Sequence, residues 1–199
     1  MHPNSKFAWT DEDGMRAFVN RTAFAHIVIV ADGRPVSAHA PLLIAPDGSV
    51  RFHLSRANRL TGLLDGAAVL ATVMGTHFYV SPDWYGSEDQ VPTWNYRLVE
   101  IDGVARLLDE AELRDLLDGL SAAHEAQLAP KPAWTTGKMD QQKLDMMVRA
   151  ITGFAIDAPQ FRGAVKMGQN KSGPERRGAI DALRMLGRHA EADAMEALL

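Results

Sequence analysis

Five consecutive residues, Ser55-Arg56-Ala57-Asn58-Arg59, offer a hydroxyl, two guanidinium groups and an amide. Arginine's planar fork of donors matches the oxygens of a phosphate. The stretch follows a strand-like run and precedes Leu60, Leu63 and Leu64, whose spacing suits a short helix over 58–65. A helix start would add free backbone N–H groups and the positive end of its dipole. The plainer alternative is a capped helix with a solvated basic turn.

Two other groups carry candidate chemistry. In Val91-Pro92-Thr93-Trp94-Asn95-Tyr96, the aromatic residues can stack on a flat ring while Asn95 hydrogen-bonds its edge. The same residues could simply anchor the preceding loop 82–92 to the core. Lys166-Met167-Gly168-Gln169-Asn170-Lys171 is polar, basic and turn-like. It lies in a stretch where Arg162, Lys166, Lys171, Arg176, Arg177, Arg184 and Arg188 are opposed only by Glu175 and Asp181. That stretch could meet an anion, a partner or nucleic acid, or it could be a solvated helical surface.

The seven histidines form no metal pattern, and His-Glu-x-x-His does not occur. His26, His39, His53 and His77 fall in or beside strand-like runs. His39 and His53 could share a ligand, although satisfied core or edge histidines are the plainer reading. Gly-x-Ser-x-Gly, Gly-x-Gly-x-x-Gly and Walker sequences do not occur.

The chain of 199 residues is 46% apolar and 23% charged, which suits one globular domain. The absence of cysteine excludes disulfides, thiolate metal sites and cysteine nucleophiles. A net charge of −4 argues against stand-alone duplex binding. No signal peptide is legible, and no apolar run is long enough to span a bilayer, so a cytoplasmic location is expected.

The elements that must hold these groups come in two kinds. Asp11, Glu12 and Asp13 open a helix with Met15, Phe18 and Val19 on one face. Short strand-like runs then occupy 24–108, with turn signals at Asp32-Gly33 and Asp47-Gly48. The runs 67–75 and 78–81 read as separate strands. Helices follow over 109–128 and 139–150, a closing strand over 151–156, and two short helices in 174–199, broken near Gly187 and His189. Several short strands joined by turns predict a barrel or sandwich.

Taken together the three groups resemble the PaiB family of FMN-binding negative transcriptional regulators. The resemblance covers almost the whole chain. It rests on Val36–Leu42, His53–Asn58, Thr76–Tyr85, Val91–Tyr96 and Lys166–Ser172. It implies an α+β fold, mainly β with helices: a split β-barrel of the pyridoxamine-phosphate-oxidase-like type, usually a homodimer holding FMN at its interface. It implies one domain over 1–199, with a barrel core over about 22–158 and a helical tail over about 159–199. His39, Ala40, Pro41 and Leu42 would lie along the flavin and ribityl chain. His53 counts among the cofactor-binding residues, and Leu54, Ser55, Arg56, Asn58 and Arg59 would surround the phosphate. Thr93, Trp94 and Asn95 would approach the ring, and Lys166, Gln169 and Asn170 would close the pocket. No metal is implied. The chain departs from the family at Asn58-Arg59, where Asn-Pro is common, and at Met167-Gly168, where Leu-Ser is common. Regulation is the leading expectation. An FMN-dependent oxidoreductase acting on a small substrate and a haem-binding split-barrel protein are the alternatives.

Overall fold

Period-two patterning builds the strands. The structure, a computed structural model, describes residues 2–198. Its elements run β1 (Ala8–Trp9), α1 (Glu12–Thr22), β2 (Phe24–Ala31), β3 (Arg34–Ile44), β4 (Val50–Ser55), β5 (Ala68–Val80), β6 (Thr93–Leu107), α2 (Glu110–Ala126), α3 (Gln141–Arg149), β7 (Ile151–Ile156), β8 (Gln160–Lys166), α4 (Gly173–Met185) and α5 (His189–Glu196). The chain forms two compact units. One holds Arg16–Val73 and Glu100–Phe161; the other holds residues up to Met15, Met74–Val99 and residues from Arg162 on.

The first unit contains a closed barrel. Hydrogen-bonded neighbours run β6, β5, β2, β3, β4 and β7, and β7 pairs back onto β6. Strands β2 and β3, β2 and β5, β3 and β4, β4 and β7, and β6 and β7 pair antiparallel, with His26 opposite both His39 and Thr72, and Ser55 opposite Ile151. Asp32 and Gly33 have φ of 51° and 71°, the positive values that a two-residue hairpin turn requires. Ala25, Ile27, Ala40, Leu42, Phe52, Leu54, Val73 and Phe154 are buried in this unit. The mainly antiparallel, split-barrel architecture that the resemblance implies is therefore present.

Helices α2 and α3 belong to the same unit. Leu113, Leu116 and Leu120 of α2 and Val148 of α3 form a buried cluster, against which Leu43, Leu108, Leu117, Leu144 and Ile151 pack. Asp109 and Glu112 form a reciprocal capping box at the start of α2.

In the second unit β1 pairs with β8, Ala8 opposite Ala164. Phe78, Val80, Tyr85, Val165, Met167, Ala179, Ile180, Leu183, Ala192 and Met195 form its core. Gly178 is what lets α4 dock. A Cβ there would stand 2.4 Å from the Trp84 carbonyl oxygen, so no side chain fits. Among the described residues no helix is long and apolar enough to cross a membrane.

Three expectations need correction. Residues 58–65 hold turns and a three-residue 3-10 helix, Thr61–Leu63, in place of one short helix spanning the run. The side chains explain why: Asn58 Oδ1 accepts from Leu60 N at 3.0 Å, and Thr61 Oγ1 donates to Ser55 O at 2.7 Å. Such local bonds compete with helical ones. The runs 67–75 and 78–81 are one strand, β5, which passes through Gly75 without breaking. The stretch from 159 on is not wholly helical, because Gln160–Lys166 is strand; its small residues, Gly163 and Ala164, hid the β signal.

Candidate functional site

Strand β4 sorts its side chains by alternation. Val50, Phe52 and Leu54 turn into the barrel, while Arg51, His53 and Ser55 alternate with them on the outer side. The chain then turns sharply. Arg56 N donates to Ala150 O and Asn58 N to Ser55 O, both at 2.9 Å. Ser55 Oγ accepts from Ala57 N at 3.3 Å, so the serine and asparagine side chains shape the turn.

The two arginines of this turn are electrostatically unmatched. Arg56 donates through Nε to the Arg149 carbonyl at 2.5 Å, which orients its guanidinium and leaves the terminal nitrogens free. Arg59 is exposed. Among the described residues neither meets a carboxylate, whereas Arg51 pairs with Asp47 at 2.7 Å, Arg106 with Glu112 at 2.7 Å and Arg114 with Glu110 at 2.9 Å. Two uncompensated cations on one exposed turn suit a doubly charged phosphate. The donor set therefore fits FMN even without a helix start behind it. A cavity of about 220 Å³ lies beside Arg56, lined also by Arg149, Thr152 and Gly153, with Arg114 and its partners Glu110 and Asp145 across it.

The segment 39–42 divides in the same way. Ala40 and Leu42 are fully buried, backbone included, so neither presents an accessible atom to a ligand. His39 is exposed and Pro41 half-buried. The His39 ring stacks on His26 with centroids 4.7 Å apart and lies near-parallel to the Phe24 ring at 6.1 Å. Leu54 is likewise a core residue. His53 does not join the turn cluster. Its Nδ1 is buried without a partner, and burial holds its pKa below the ordinary value, which keeps it neutral.

The remaining candidates belong to the second unit. Trp94 is 56% exposed and presents a flat apolar face beside His77 and Tyr79, each with its ring centroid 6.4 Å away. Lys166 Nζ donates to Thr93 Oγ1 at 2.5 Å and faces the Phe7 ring, and burial depresses its pKa. Asn95 is fully buried with neither side-chain amide atom bonded. Gln169 bridges Met167 N and Val165 O, both at 2.7 Å, and so holds a turn whose Gly168 has a φ of 83°. Asn170 is exposed.

Sequence reasoning missed Arg149, whose carbonyl aims Arg56, and Tyr79, which flanks Trp94. Nothing in local spacing signals Arg149, because 93 positions separate it from Arg56. Tyr79 was findable, since it alternates with Phe78 and Val80, which are buried.

Comparison with known proteins agrees with this chemistry. Residues 1–159 match the family model described as "Putative FMN-binding domain". The chain is 27% identical over 181 residues to the protease synthase and sporulation protein PAI 2 of Bacillus subtilis (strain 168), covering 89% of this chain and 86% of that protein. The FAD and haem binding protein from Mycobacterium smegmatis superposes with a TM-score of 0.60 at 18% identity, over 86% of this chain and 79% of that one. The flavocytochrome Anf3 from Azotobacter vinelandii superposes with a TM-score of 0.57 at 22% identity, over 83% and 72%. These two likenesses show a common fold. The family model spans most of the chain, and the chain belongs to this FMN-binding, PaiB-like family.

Proposed function

We propose that the protein is a PaiB-type negative regulator whose cofactor is FMN, working as a cytoplasmic homodimer and influencing expression without its own grip on DNA. The observation that carries the flavin part is the pair of unmatched arginines, Arg56 and Arg59, on the turn after β4. Ser55 and Arg56 would hold the phosphate, with Arg59 adding charge. Outward-facing His39 and Pro41 would offer contacts from β3. Trp94, Thr93 and Lys166 supply, in their own unit, a flat face and a cation suited to a flavin ring. FMN would contribute redox capacity; the chain contributes binding, orientation and charge.

The indirect route to regulation rests on the tail. Arg184 is paired with Asp193 and Glu196, Arg188 with Glu191, and Arg176 is buried with its Nη2 on the Met195 carbonyl. The basic stretch legible in the sequence is thus largely spent inside the tail.

The test is the visible spectrum of the purified protein before and after FMN addition. A bound-flavin spectrum with quenched fluorescence, weakened in Arg56→Ala and Arg59→Ala, is expected. Unchanged FMN affinity in the double variant overturns the site. Regulation is tested by complementing a strain that lacks the protein. Wild type should restore repression and the double arginine variant should not.

One observation favours a second reading, haem binding: the His26 and His39 imidazoles are exposed side by side on the outer face of the barrel. A Soret band on haem addition, lost in His39→Ala, would establish it. Anaerobic reduction of the bound flavin by NADH or NADPH with turnover would point instead to an oxidoreductase.

A further inference from the structure

The helical insertion between β6 and β7 borders a second, open-mouthed cavity, of about 240 Å³, that the flavin reading does not use. Leu117 and Ser121 of α2, Leu144 and Met147 of α3, Ile151 of β7, and Trp134 with Met139 from the connecting segment supply most of its walls. His53 lines it from β4 and Thr136 from the segment 127–140.

Several of these walls are apolar side chains left half-covered. Leu117, Leu144 and Ile151 pack on the buried α2–α3 cluster yet keep exposed surface towards the cavity, and Met147 is 52% exposed. Leaving that much apolar surface wet is unfavourable, and a small apolar occupant would cover it. The wall is itself built. Glu125, near the end of α2, accepts hydrogen bonds from Lys131 Nζ and, at 2.8 Å, from Trp134 N. Those bonds fix the backbone that carries Trp134 into the cavity wall. The segment 127–140 is therefore tied down where an unanchored loop would be expected.

The chemistry of the lining selects the ligand class. The polar groups are an imidazole kept neutral by burial and the hydroxyls of Ser121 and Thr136. No lysine, arginine or carboxylate contributes to the wall. A charged ligand would lose its hydration without a counter-ion. A dry apolar cavity of about 150 Å³ accepts benzene, so the larger volume here suits one or two rings bearing a single polar group.

We propose that this cavity is a binding site for a small uncharged aromatic molecule with one hydroxyl or ring N–H. It rests on the α2–α3 insertion alone and stands whether or not Arg56 and Arg59 hold FMN.

The experiment uses phenol, toluene and benzoate as probes, with the methionine methyl groups of the full chain labelled for NMR. Phenol should give saturable shifts confined to the Met139 and Met147 methyls, with intermolecular contacts to the same methyls. Toluene should bind several-fold more weakly and benzoate not at all. In Ser121→Phe, which fills the cavity, the phenol shifts should vanish while the other methionine methyls stay in place. If that variant fails to fold, the intermolecular contacts in wild type decide. Unmoved Met139 and Met147 methyls, shifts that rise without saturating, or benzoate binding equal to phenol overturn the proposal. FMN titration of the same sample reads the flavin site separately.

Discussion

Arg56 and Arg59 are the residues where charge and position meet most directly. Hydrogen bonds to charged groups are worth about 1.5–3 kcal/mol, so removing either guanidinium should raise the FMN dissociation constant about tenfold or more. Isothermal titration of Arg56→Ala and Arg59→Ala measures this. Arg56→Lys should not rescue fully, because a point charge cannot reproduce the fork that the Arg149 carbonyl orients. The cluster itself was legible, since arginine next to serine and asparagine is a local signal. What spacing could not show was which neighbours face inward: Ala40, Leu42 and Leu54 sit in the barrel core. His53 has its own consequence. Burial depresses its pKa, so the unfolded chain binds a proton at higher pH than the folded chain does. Stability is then complete above the ordinary value of 6.5 and falls as pH drops below it towards the folded value. Chemical denaturation between pH 7 and 5 should show this slope in wild type and a flatter one in His53→Phe.

At the scale of elements, Gly178 and the capping box of α2 make the sharpest cases. An alanine at Gly178 would drive its Cβ into the Trp84 carbonyl, whose backbone cannot step aside cheaply. Gly178→Ala should therefore lose about 1–3 kcal/mol, the usual cost of overpacking, despite alanine's better helix propensity. Equilibrium unfolding measures it, and a stabilised variant would refute the close approach. Glu112 does three things at once: it accepts from Asp109 N, pairs with Arg106 through both oxygens, and lies 4.0 Å from Arg51. The Arg106 bonds, then the backbone bond at Asp109, pull its pKa from 4.5 down to about 2. Its contribution is present above about pH 4.5 and is lost as pH falls towards 2. The pair is partly exposed and screened, so Glu112→Gln should cost only about 1 kcal/mol at pH 7 and almost nothing at pH 2. Strands and long helices were legible because periodicity is local and strong. The 58–65 turn was not, because side-chain bonds from Asn58 and Thr61 outcompeted a helical apolar pattern. Strand β8 was hidden because glycine and alanine carry no strand signature and its partners, β1 and β6, both lie far from it in sequence.

For the molecule as a whole, charge decides what large partner it can hold. The chain carries −4 overall, so nucleic acid would have to be held by a local patch. The sequence offers one, in the arginines from Arg176 to Arg188. The fold removes it: Arg176 is buried, Arg184 reaches Asp193 and Glu196, and Arg188 reaches Glu191, all within the helical tail. The opposing carboxylates of α5 lie beyond Arg188 in sequence, so counting charges only as far as that residue overstates the patch. Of these four arginines, Arg176 is buried and Arg184 and Arg188 are committed to carboxylates, which leaves the exposed Arg177. Phosphate-driven binding scales with the number of cations that can displace counterions, and one or two give little affinity or salt slope. A gel shift with duplex DNA at low salt should therefore show no discrete retarded complex, with or without FMN. Breaking the internal pairs changes the arithmetic. Asp193→Asn combined with Glu196→Gln frees Arg184, raises the net charge by two, and should add weak retardation that vanishes as salt rises. If wild type already binds with a steep salt dependence, the tail is not neutralised in solution, and the proposed regulation would run through direct DNA contact.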